Sequence, residues 1–154
     1  MIAIDTRRDY VALAVSFAIG LLFIFAGADK LRDPLQFADS IAAFAILPAK
    51  FVNLLALGLP PFEIGCGLLM LVPSTRHVAA LALAITSVIF FAALASALAR
   101  GLTLDCGCFG VGAPSRPRMW LEAGLNIALL AGSLMVYMRS TASEVADPGA
   151  LRGA

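Results

Sequence analysis

The sequence predicts an all-α protein: a four-helix transmembrane bundle with a short interfacial helix between the first two spans. Three observations predict it. Of 154 residues, 61% are hydrophobic and only 14% charged, against about 45–50% and about 25% in a soluble domain. The apolar residues gather in four blocks, each near the roughly 20 helical residues that cross a hydrocarbon core of about 30 Å. The blocks are too long and continuous for barrel strands, which alternate and run about half that length. With a net charge of +1, and with aromatics at 8% that do not interleave with basic residues, nothing favours a nucleic-acid partner.

The first span runs from about Tyr10 to Ala28. Arg7 and Arg8 before an apolar stretch that ends Ala26-Gly27-Ala28 imitate a signal peptide with its small-residue cleavage site, and Thr6-Arg7-Arg8 faintly imitates a twin-arginine signal. The length of the stretch favours a retained span. Asp33 followed by Pro34 reads as an N-cap with proline at the first helical position. The helix it opens, Leu35 to Leu47, is closed by Pro48 and is too short to span. Phe37, Ile41 and Phe44 share one face, so this helix is expected on or tucked into the outer surface, as a cover or a lid.

The second span runs from about Phe51 to Val72. Pro60-Pro61 near its middle should free carbonyls around Ala56 and Leu57 and kink the helix. Glu63 follows, read as the only acidic residue deep in any span. An ionised carboxylate there is costly, so Glu63 is expected to be protonated or hydrogen-bonded inside the bundle, with Asn126 and Asn53 as candidate partners. A proton or quinone contact and a bond that repairs the kink are both open. The third span, about His77 to Ala99, is rich in alanine. With Gly20, Gly27, Gly58, Gly65 and Gly67 it offers small faces for close helix packing. The fourth runs from about Met119 to Met138. Residues 1–139 thus form one transmembrane domain, and 140–154, small and polar, are expected to be a disordered tail.

Four spans put both termini on one side of the membrane. Arg7, Arg8, Arg76, Arg139 and Arg152 lie on that side. Lys30, Arg32, Lys50, Arg100, Arg116 and Arg118 lie on the other, a near balance. Weighting the first helix favours cytoplasmic termini. The loop between the third and fourth spans then faces outward, where disulfides persist.

That loop carries the chemistry. Arg100 to Pro117 is glycine- and proline-rich turn sequence, and it holds Asp105-Cys106-Gly107-Cys108-Phe109-Gly110. Two thiols one residue apart can close as a disulfide, and Gly107 relaxes the small ring that results. Strain in such a ring makes it more oxidising. Arg100, Arg116 and Arg118 favour a thiolate, and Asp105 opposes them. A redox-active pair, a static staple and a soft-metal site such as Cu(I) or Zn are all open. The metal reading lacks ligands: His77, the one histidine, sits about 30 Å away at the far end of the third span. Cys66, a turn beyond Glu63, reads as a packed core thiol, with a relay thiol as the alternative. With one close pair only, a second electron station must be another molecule, either a quinone or a second membrane redox protein.

Taken together, Phe25-Ala26-Gly27 with Lys30-Leu31 and Asp33-Pro34, then Pro60 with Glu63, then the Cys-Gly-Cys run resemble the methylamine-utilisation MauE family, related to DoxX-like four-helix membrane proteins. The resemblance implies a multi-pass bacterial inner-membrane protein. It implies an accessory for maturing the disulfide-rich small subunit of periplasmic methylamine dehydrogenase, working beside a thioredoxin-like partner. Cys106 and Cys108 carry over as the thiol pair; Lys30 and Glu63 carry over as motif positions without a role. The expected activity is thiol–disulfide exchange through that pair. A non-enzymatic assembly scaffold with a permanent loop disulfide, and a small-molecule or metal permease using Glu63, are the alternatives.

Overall fold

Among the described residues five helices follow one another: α1 (Thr6–Arg32), α2 (Pro34–Ala43), α3 (Ala49–Leu71), α4 (Arg76–Ala99) and α5 (Arg116–Ala146). The computed structural model describes residues 6–104 and 115–146, with side chains over 10–104 and 115–142. Four of the helices are long and apolar enough to cross a membrane, and α2 is the short one between the first two spans. This is the bundle that composition and block length predict.

The ring closes in the order α1, α3, α4, α5 and back to α1, with α1 packed chiefly on α3 and α4 on α5. Large apolar side chains such as Phe25, Leu54, Leu57, Ile89, Leu121 and Ile127 point outward. In water they would be a liability; in lipid they are the solvent-facing surface. Among the described residues the interior holds two apolar clusters. One gathers Ile19, Phe23, Cys66, Met70, Leu83 and Val136; the other gathers Phe44, Leu94, Ala97, Met119 and Ala123.

Small residues set how close α1 and α3 come. A Cβ on Gly67 would stand 2.7 Å from the carbonyl oxygen of Gly20, and one on Gly20 would stand 2.8 Å from that of Gly67. A Cβ on Gly27 would stand 2.8 Å from the Pro60 carbonyl oxygen. The two backbones therefore touch, and this contact fixes the register in which α1 and α3 face each other.

The helix over Pro60-Pro61 is continuous. α2 is shorter than the sequence suggests: it stops at Ala43, and Ala45 takes a left-handed φ of 50°. Its start is as expected, with Pro34 in the first turn and the Asp33 carboxylate accepting from the Gln36 amide at 3.0 Å. α5 runs on past Arg139 through Ala146, so helix replaces the first residues of the segment expected to be a disordered tail.

Candidate functional site

The polar centre of the bundle is an ion pair. Lys30, two residues before the end of α1, places its Nζ 2.8 Å from Glu63 Oε2. Lys30 is 5% exposed and Glu63 1%. By helix rise, Glu63 lies about 21 Å along α3 from Ala49, within the span. The rest of the ammonium is met by aromatic faces: Nζ lies 5.5 Å from the Phe37 ring centroid and 5.9 Å from that of Phe90. Both are within the roughly 6 Å over which a ring face attracts a cation. Four elements thus meet at one atom: α1 supplies the cation, α3 the anion, and α2 and α4 the rings.

This arrangement corrects the partner expected for Glu63. Asn126 is buried but donates to the Glu122 carbonyl oxygen of its own helix at 2.9 Å, and Asn53 is exposed. The partner is Lys30, 33 positions earlier in the chain. A charge enclosed in a bundle is expensive alone and tolerable in a pair that is also hydrogen-bonded. The signal was present in the sequence as one lysine and one glutamate set in apolar helices. The register that joins them was not.

A second buried carboxylate escaped the sequence reading. Glu122, on the first turns of α5, is 4% exposed, and its Oε1 accepts from Arg118 Nε at 3.2 Å. The i, i+4 spacing of the two would have revealed it. Cys66 lies in the apolar cluster with Met70 and Leu83, one turn beyond Glu63.

The loop holding Asp105, Cys106, Gly107, Cys108, Phe109 and Gly110 lies outside the described residues, but its root is well defined. α4 ends in a Schellman turn: Leu102 N donates to Ala97 O at 3.0 Å and Gly101 N to Leu98 O at 3.0 Å, with Gly101 at φ 73°. Leu102 and Leu104 pack on the Phe44 cluster, and Leu104 N points at Met119 Sδ at 3.4 Å. Arg100 donates from a guanidinium nitrogen to the Phe44 carbonyl oxygen at the end of α2. The loop therefore leaves the bundle beside α2, at the end opposite His77 and the α3–α4 turn.

The model of the family described as methylamine utilisation protein MauE matches residues 8–139. The chain belongs to the MauE family. The matched span takes in Lys30, Glu63, Cys106 and Cys108. The MauE of Methylophilus methylotrophus is 34% identical over 137 residues, which cover 88% of this chain and 70% of that protein. The MauE of Paracoccus denitrificans is 34% identical over 145 residues, covering 94% and 76%. The MauE of Methylorubrum extorquens is 34% identical over 110 residues, covering 71% and 59%. No solved structure matches the chain.

Proposed function

We propose that this MauE-family protein is a membrane thiol–disulfide accessory. Cys106 and Cys108 exchange electrons with an exported thioredoxin-like protein and so support correct disulfides in periplasmic proteins of methylamine utilisation. The observation that carries the reading is the pair itself: two cysteines one residue apart, within the family-matched span, on a loop rooted at one end of a membrane bundle. In the exchange, a thiolate of one dithiol attacks the disulfide of the other and forms a mixed disulfide, displacing one sulfur as thiolate. The second thiol of the attacking pair then resolves it, leaving one new disulfide and one new dithiol. The same two steps in reverse run the opposite way, and the relative potentials of the two couples set the direction.

The test is to trap the intermediate. Cys108→Ala is expected to leave Cys106 in a mixed disulfide with the partner, visible as a reductant-sensitive adduct in a non-reducing gel. The absence of any adduct together with normal maturation of client proteins would leave the static scaffold standing instead.

The orientation is part of the proposal, with cytoplasmic termini and a periplasmic loop in the inner membrane. After mild reduction, a membrane-impermeant maleimide is expected to label Cys106 and Cys108 in intact cells and to leave Cys66 unlabelled until denaturation. Labelling of the loop pair only after lysis would reverse the topology.

A further inference from the structure

We infer that α2 is a strut tying the root of the cysteine loop to the buried Lys30–Glu63 pair, with Phe37 and Arg100 as positioning residues at its two ends. The inference rests on the reading above in that it gives the loop thiols a reaction to be positioned for. α2 has ten residues and is joined to α1 through Asp33 alone. Its start is stiffened by the Asp33 cap and by a bond of 3.1 Å from Phe37 N to Asp33 O. Phe37 and Phe44, seven positions apart, share one face about 10 Å apart along the axis.

Each of these buried aromatic residues is joined to a cation. The Phe37 ring sits on the Lys30 ammonium that Glu63 holds. Phe44 presents its carbonyl to Arg100, the residue that ends α4 and precedes Gly101. The Arg100 guanidinium also reaches the Ser96 carbonyl oxygen at 3.3 Å, so it bridges the last turn of α4 and the end of α2. A helix that merely covered the bundle would need apolar contacts only. This one links the buried pair to the residue from which the loop departs: Glu63 to Lys30 to Phe37 by contact, Phe37 to Phe44 along the helix itself, and Phe44 to Arg100 by a hydrogen bond. A change at the pair should therefore reach the thiols.

The experiment is a double-variant cycle on the reduced full-length protein in lipid nanodiscs. It reads the maleimide alkylation rates of Cys106 and Cys108 by mass spectrometry across pH. Phe37→Leu and Arg100→Gln are each expected to change those rates by about fivefold or more and to move the midpoint of the pH profile. Arg100→Lys, which keeps a donor in reach of Phe44, should stay within about twofold of the parent. Met70→Ala, which empties buried volume at the other end of α3, should do the same and so controls for general loosening.

The deciding result is non-additivity: once Arg100→Gln has cut the strut, adding Phe37→Leu should change nothing more. Single variants within about twofold of the parent, or effects that multiply in the double variant, overturn the inference. No partner protein takes part, so that failure leaves the exchange reading untouched. Absence of the trapped adduct, in turn, leaves the strut untouched.

Discussion

Lys30→Met is expected to destabilise the bundle by about 3–5 kcal/mol, because it leaves the Glu63 carboxylate enclosed without its counter-charge. The reciprocal change, Glu63→Leu, should cost less. Lys30 stands two residues from the end of α1, and a long side chain so placed can swing its head toward the headgroups while its stem stays in the apolar layer. Glu63 has no such exit from the middle of α3. The double variant Lys30→Met/Glu63→Leu should recover most of the loss, since a buried pair replaced together by apolar groups of similar volume is often neutral or stabilising. Denaturant titration of the purified protein in mixed micelles measures all three. Equal losses in the double variant and the sum of the singles would show that the cost lies in packing and not in an orphaned charge.

Gly67→Ala is the second large effect, expected to cost about 1–3 kcal/mol. The new Cβ would sit 2.7 Å from the Gly20 carbonyl oxygen and 3.2 Å from the Ile24 amide nitrogen. These are backbone atoms and cannot rotate aside, so α1 and α3 must part. Two positions earlier, Gly65 meets nothing within 4 Å. Gly65→Ala should therefore be neutral or gain up to about 1 kcal/mol of helix propensity. The same titration separates them. A Gly67→Ala protein as stable as the parent would mean that the α1–α3 crossing is looser than the backbone contact implies.

The spans were legible because lipid imposes one rule on every residue in a segment: satisfy the backbone locally and present apolar surface. That rule is written in continuous stretches, and the break between α1 and α2 is written just as locally in Asp33-Pro34. The partner of Glu63 was not legible. Asn126 is a plausible acceptor or donor by chemistry alone, yet it spends its amide on the carbonyl one turn back. The pairing with Lys30 depends on which turn of α1 faces which turn of α3, and that is fixed by Gly20, Gly27 and Gly67 acting across two helices. The limits of α2 and α5 were hidden for a related reason. Ala45 adopts a left-handed conformation without glycine or asparagine to announce it, and α5 continues through small polar residues that carry no stop signal.

The span of 33 positions between Lys30 and Glu63 also orders events during biosynthesis. A ribosome working from the N-terminus delivers the cation well before the anion. The first segment therefore enters the membrane with Lys30 near its end and Glu63 not yet made, and the lysine head can rest among the headgroups until then. The enclosed pair is completed only when the segment that carries Glu63 arrives.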